Sequence, residues 1–312
     1  MITGIVRKST GSWYEIFIEG HELISARLKG VIRLDETKDT NPVAVGDKVV
    51  LEQDAQTNDW MIVVVCDRKN YIVRTSPKHK GARHVIAANI DQCILIATLD
   101  APRTSSGFID RFLMAAEAYR IPTVIVFNKI DLLDVKGKNK QGNMASVYSQ
   151  IGYKIISTST TQNVGIDLLR DAMKHKTSLV FGHSGVGKSS LMNMIQPSLN
   201  LRTGHLSRFA NRGMHTTTFA EMFFLDDDIR VIDTPGVREF SHHSIAPEEI
   251  SHYFVEMREL LKECKFNNCT HIDEPNCAVL KALYAGEISE ERYKSYLTIY
   301  EEIKANYKHW EN

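Results

Sequence analysis

The sequence predicts a multidomain α/β chain: an OB-like β-barrel at the N-terminus, a doubly wound domain carrying a phosphate-binding loop, and a helical C-terminal module. Three observations predict it. Residues 1 to about 70 hold short apolar runs punctuated by glycines, with no helical periodicity. From about 85 to 240, apolar strands alternate with helical patterns around a Gly-x4-Gly-Lys-Ser run. Beyond Pro247 the pattern turns helical, and three of the five cysteines gather near His271.

In the first region, residues 2–6, 13–18, 23–28, 48–51 and 61–65 are candidate strands, and Val45-Gly46-Asp47 reads as a turn into the fourth. Five short strands fit an OB-fold, with an SH3-like barrel as the alternative. The expected domains are 1–72, 73–240 and 241–312.

The second region opens with an apolar strand at 90–99 and a helix whose inner face is Phe108, Phe112, Ala116 and Tyr119. The strand 123–127 ends in Asn128-Lys129-Ile130-Asp131. A carboxylate at Asp131 can accept from guanine N1–H and the 2-amino group, a donor pair that adenine lacks. Asn128 can bond the base edge and the loop beneath it, and the Lys129 stem can lie over the purine. After the strand 153–156, Ser157-Thr158 sits where a backbone N–H could reach guanine O6.

The apolar run 178–181 leads into Gly182-His183-Ser184-Gly185-Val186-Gly187-Lys188-Ser189-Ser190, and a helical pattern follows. Strand, glycine loop and helix are the setting in which this motif cradles phosphate. Backbone N–H groups turn inward, the helix adds its positive end, Lys188 reaches the β- and γ-phosphates, and Ser189 holds Mg²⁺. The run 213–218 offers a second Mg²⁺ ligand, with Thr217 the favoured threonine. Asp233 can bind Mg²⁺ through water, and the Gly236 N–H can meet a γ-phosphate. These motifs imply a guanine-nucleotide hydrolase. Base recognition precedes the phosphate loop here, whereas ordinary GTPases have it last, so the domain reads as circularly permuted. Val237 stands where Ras-like enzymes carry the glutamine that orients water. His215, His242 and His243 are the histidines near the switches that could orient it instead.

In the third region, helices are expected at 248–263, 277–285 and 289–307. Cys264, Cys269, His271 and Cys277 make a complete tetrahedral donor set for a structural zinc, with no open position for chemistry. Cys66 and Cys93 sit in or beside apolar runs and read as inert thiols.

The remaining composition excludes little. The formal net charge is zero, so any nucleic-acid surface must be a local patch. Two stretches qualify: residues 68–83 carry six Lys/Arg without an acid, and Arg202, Arg208 and Arg212 lie in another acid-free run. No apolar run reaches 18 residues, and the N-terminus lacks a signal pattern, so a cytoplasmic chain without membrane contact is expected.

On the permuted motifs 128–131, 182–189, 216–218 and 233–236 and the cluster Cys264, Cys269, His271 and Cys277, the whole chain resembles the RsgA (YjeQ/YloQ) family of small-subunit biogenesis GTPases. The resemblance implies a monomer that binds the small ribosomal subunit and its rRNA late in assembly. It implies GTP hydrolysis stimulated by that subunit, followed by release with GDP, and favours a histidine of the second switch, His242 or His243, for catalysis. A GTP-switched rRNA adaptor with incidental turnover is the alternative that the residues leave open.

Overall fold

The computed structural model describes residues 1–20, 23–30, 41–75, 83–199, 220–233 and 245–307. Its first strands follow from alternating patterns such as Lys48–Gln53, whose valine and leucine at 49 and 51 are buried between more exposed neighbours. Strands β1 (Ile2–Ser9), β2 (Tyr14–Phe17), β3 (Ile24–Leu28), β4 (Lys48–Gln53) and β5 (Trp60–Val65) close on themselves. β1 pairs with both β2 and β4, β2 with β3, β3 in parallel with β5, and β5 with β4. The result is the expected five-stranded barrel, filled by Val6, Tyr14, Ile16, Ile18, Ala26, Val43, Val49, Leu51 and Ile62.

The stretch after the barrel, read as a basic patch, contains β6 (Tyr71–Thr75) and β7 (Arg83–Ala88), which pair as an antiparallel ribbon. Two of its basic residues find acids far away in sequence. Arg68 forks onto Asp47, whose side chain is fully buried, with both contacts at 2.8 Å, and Lys69 reaches Asp91 at 3.1 Å. Lys78 and Lys80 lie outside the described residues.

Gly46 allows the junction to close. Its φ is +90°, and a Cβ there would lie 2.1 Å from Ala88 O. The close approach lets Ala88 N donate to Val45 O at 2.8 Å, which ties the ribbon to the barrel.

The central sheet contains β8 (Gln92–Ala97), β9 (Thr123–Phe127), β10 (Lys154–Ser157), β11 (Thr177–Phe181), β12 (Glu221–Leu225) and β13 (Ile229–Asp233). Their order is β10-β9-β8-β11-β13-β12, parallel except for β12. The expected strand 90–99 is shorter, because Leu99 already lies beyond the paired segment. β12 was not expected: only five residues long, it lies between two segments outside the described residues.

Helices α1 (Ser106–Ala118) and α2 (Val135–Ile151) cover one face through Ile109, Phe112, Leu113, Met144 and Tyr148. Helices α3 (Ile166–Met173) and α4 (Lys188–Ile195) cover the other through Leu169, Met173, Leu191 and Ile195. The chain runs outward from β8 through β9 to β10, then resumes at β11 on the other side of β8. A crevice at the carboxyl ends of β8 and β11 is where such sheets bind ligands.

The barrel and this sheet join. β1 pairs with β12 at Lys8 and Glu221, Arg7 contacts Glu221 at 2.6 Å, and Phe17 stacks on Phe224 with centroids 3.9 Å apart.

The expected helix 248–263 is broken. Residues Pro247–Tyr253 and Leu261–Glu263 are 3-10 turns, and only α5 (Val255–Arg258) is α-helical. The break is at Phe254, whose backbone is extended (φ −98°, ψ 106°) while its ring is buried under the Arg292 guanidinium at 4.6 Å. Burial of the ring outweighs continuation of the helix. Helices α6 (Ala278–Tyr284) and α7 (Glu290–Tyr307) follow close to the expected bounds. Met114 of α1 belongs to this module's core, with Ile250, Phe254, Met257, Val279, Tyr296 and Ile299.

Candidate functional site

The phosphate loop lies between β11 and α4, at the switch point of the sheet. Gly187 turns into α4 with φ +98°, and a Cβ there would meet Asn128 Nδ2 at 2.3 Å. That approach lets Asn128 Nδ2 donate to Val186 O at 2.8 Å, while its Oδ1 accepts from the Thr158 hydroxyl at 2.9 Å. A single buried amide thus fastens the base-recognition loop to the phosphate loop, although the two motifs are far apart in the chain.

Gly182, His183, Ser184 and Gly185 form the loop's outer part, and Lys188, Ser189 and Ser190 the first turn of α4. Lys188 Nζ donates to Gly182 O at 2.7 Å and His183 O at 2.8 Å. Burial lowers its pKa, and nearby Asp233 opposes the shift. Burial pushes the Asp233 carboxyl up to about 7 against the pull of Lys188. The pairing of Val180 with Asp233 in the parallel register sets this carboxyl beside the loop. The site therefore concentrates one cation, one carboxyl group and a helix start around a glycine loop, which suits a magnesium-bound polyphosphate.

On the base side, Lys129 adopts a left-handed backbone (φ 61°) that opens the 3-10 turn Ile130–Leu132. Its ammonium donates to Ala101 O at 2.7 Å. Asp131 is partly exposed, and the hydroxyls of Ser159 and Thr161 hold its carboxyl below the usual range, Thr161 at 2.9 Å. The geometry corrects one assignment. The Thr158 N–H donates to Phe127 O at 2.8 Å rather than facing the base site, and its hydroxyl donates to Asn128 Oδ1. The Ser157 hydroxyl accepts from Gln141 at 2.6 Å. Ser159 and Thr161 were missed by sequence reasoning, although the unbroken hydroxyl run at 157–161 was the available signal. Thr217, Gly236, His215, His242 and His243 lie outside the described residues.

The second site lies in the C-terminal module. The ligand atoms of Cys264, Cys269, His271 and Cys277 all fall within 4.8 Å of one another. His271 Nδ1 lies 3.3 Å from Cys277 Sγ and 3.6 Å from Cys264 Sγ. Ligands placed tetrahedrally at about 2.0–2.3 Å from zinc lie roughly 3.3–3.8 Å apart, so the cluster has the size of a metal centre.

The backbone is shaped for it. His271 has φ +60°, and its carbonyl accepts from the Tyr293 hydroxyl at 2.7 Å. Beneath it the Glu274 carboxylate gathers Thr270 N and Oγ1 and Ile272 N, and these bonds hold its pKa at about 2 against the opposing effect of burial. Cys277 caps α6, with Leu280 N donating to its sulfur at 3.5 Å. Burial lowers the pKa of His271, which favours the neutral form that ligates. The structure contains no disulfide among the cysteines. No described helix is long and apolar enough to cross a membrane.

Comparisons with known proteins agree with this geometry. The RsgA GTPase family model matches residues 65–243, and the RsgA N-terminal domain model matches residues 3–61. The small ribosomal subunit biogenesis GTPase RsgA of Flavobacterium johnsoniae is 47% identical over 310 residues, covering 98% of this chain and 95% of its own. The protein of that name from Bacteroides fragilis is 45% identical over 301 residues, 96% of each chain. Among solved structures, YjeQ from Thermotoga maritima superposes with a TM-score of 0.79 at 36% identity, over 97% of this chain and 98% of its own. YloQ, a circularly permuted GTPase, gives a TM-score of 0.75 at 28% identity, over 98% and 96%. With its barrel, its permuted nucleotide domain and these full-length likenesses, the chain belongs to the RsgA GTPase family.

Proposed function

We propose that this GTPase binds the small ribosomal subunit, assists its late maturation and leaves after hydrolysing GTP. The observation that carries the reading is the Asn128 bridge, which makes one guanine-nucleotide site of two motifs that are permuted in the chain. Asp131 reads the base, Lys188 lies on the β- and γ-phosphates, and Ser189 and Thr217 would hold the Mg²⁺ that neutralises phosphate charge. Asp233 would hold Mg²⁺ through water, and the Gly236 N–H would meet the γ-phosphate. His242 or His243 orients water, because Val237 cannot. The domains are 1–72, 73–240 and 241–312, and the chain acts as a cytoplasmic monomer. The relatives' names carry the subunit as partner. Arg27, stacked on half-exposed Trp13 at 3.9 Å, gives the barrel a surface suited to rRNA.

The four-ligand cluster holds a structural zinc in this reading. Purified protein is expected to carry about one zinc per chain by mass spectrometry of the native protein. Cys269→Ala is expected to lose the metal and the order of α6 and α7 while guanine nucleotide still binds. Protein free of zinc without exposure to chelator would refute the assignment.

The functional test is sedimentation with purified small subunits. Binding with a non-hydrolysable GTP analogue is expected to exceed binding with GDP by about tenfold or more, and subunits should raise turnover. Equal binding in both states with unstimulated turnover would sink the switch reading and leave an adaptor.

A further inference from the structure

Among the described residues the C-terminal module packs on helix α1 of the nucleotide domain, with α2 beside it, and α1 begins beside the phosphate loop. Arg292 of α7 is almost fully buried. Its guanidinium forks onto Glu256 at 2.7 and 2.9 Å, and Nη1 donates to Asp110 of α1 at 2.8 Å. Burial opposes its charge, but the two carboxylates outweigh that effect. Tyr148 of α2 donates to the same Asp110 oxygen at 2.8 Å. Arg111 reaches Glu302 at 2.6 Å, and a methyl at Gly107 would sit 4.0 Å from Ser295 Oγ. The first two turns of α1 are thus held by α7.

The other side of the same turn holds the nucleotide site. Phe108, two residues before Asp110, stacks on His183 of the phosphate loop with centroids 3.8 Å apart. Phe181, which ends β11, lies 5.9 Å from the Phe108 ring. The seam beneath is not close-packed. Burial pushes the Asp110 carboxyl up against the pull of Arg292, Ser295 and Tyr148, and a pocket of about 180 Å³ opens beside it, lined in part by Ser106, Lys140, Tyr148 and Arg292. A ring contact on one side of this turn and a charged seam with an open pocket on the other place the start of α1 between the phosphate loop and α7.

We propose that α1 transmits the state of the phosphate loop to the C-terminal module, with Phe108 and Arg292 as its positioning residues. This rests on residues 182–189 holding the nucleotide phosphates. The route is separate from the chain connection that follows Asp233. It gives the module a second link to the nucleotide, through packed side chains rather than through the switch.

The test is amide hydrogen exchange on the full zinc-loaded chain with and without GDP, followed in peptides covering α1 and α7. In the wild type, GDP is expected to slow exchange in α7. Phe108→Ala removes a partly buried ring, leaves Asp110–Arg292 intact, and is expected to abolish the slowing in α7 while GDP still binds. Arg292→Lys keeps the charge but loses the fork, and is expected to weaken GDP binding about tenfold, because coupling is reciprocal. Circular dichroism and zinc content should stay at wild-type levels in both variants. If the wild type binds no guanine nucleotide, the reading of the site fails and the proposal with it. If it binds and exchange in α7 does not change, or if Phe108→Ala keeps the full slowing, the proposal alone is overturned. Should Arg292→Lys fail to fold, the Phe108→Ala result decides.

Discussion

Lys188→Ala is expected to lower the rate of GTP hydrolysis at least a hundredfold and to weaken nucleotide binding. The ammonium is the one cation that the described loop itself supplies, at the start of α4. Charge-assisted contacts from it to the β- and γ-phosphates would strengthen as charge develops on the leaving oxygen, and removing one such donor from a water-poor site typically costs 10²–10³ in rate. The side chain is only 8% exposed, so the charge acts in a medium that screens it poorly. Single-turnover hydrolysis with saturating Mg²⁺ checks the rate, and an unchanged melting profile shows that the fold persists. Turnover within threefold of wild type would remove Lys188 from the phosphate site.

Asp131→Asn is expected to change which base is bound rather than to destroy the site. In the proposed site the carboxylate would accept two hydrogen bonds from guanine, and losing charged partners of this kind costs about 1.5 kcal/mol each. Affinity for GTP should fall roughly a hundredfold, while xanthosine triphosphate, which presents an oxygen in place of the 2-amino group, gains a donor from the new amide. Thr161 and Ser159 keep the carboxylate fixed and ionised, so it needs no rearrangement to receive the base. Competition binding with GTP, XTP and ATP reads the outcome. Retained preference for GTP would show that Asp131 does not read the base.

Local patterns were the legible part of this chain. The barrel strands alternate, the phosphate loop is contiguous, and Cys264, Cys269, His271 and Cys277 lie within 14 residues, so each could be read from neighbours in sequence. What could not be read depends on distant partners. Nothing near Arg68 announces that Asp47, 21 residues earlier, neutralises it, so a clamp looked like part of a basic patch. The helical pattern of 248–263 was sound locally, yet burying Phe254 under Arg292, 38 positions later, breaks it. Thr158 looked like a ligand residue by position, but its N–H was already committed to the neighbouring strand. The path from Arg292 through Asp110 to Phe108 and His183 spans three elements and leaves no trace in any short window.

The joining of β1 to β12 changes how a truncation must be read. β12 is the last strand of the nucleotide sheet, and without a neighbour its outer N–H and C=O groups would form an open template for another chain. The barrel meets it at Glu221 and lays Phe17 over Phe224, so part of that edge and the Phe224 ring are covered from within the chain. A shortened protein lacking the barrel would expose that edge and an uncovered aromatic ring on the outer strand of the nucleotide sheet. Poor solubility or lost activity in such a protein would reflect an unprotected sheet before it reflected any missing contact with RNA.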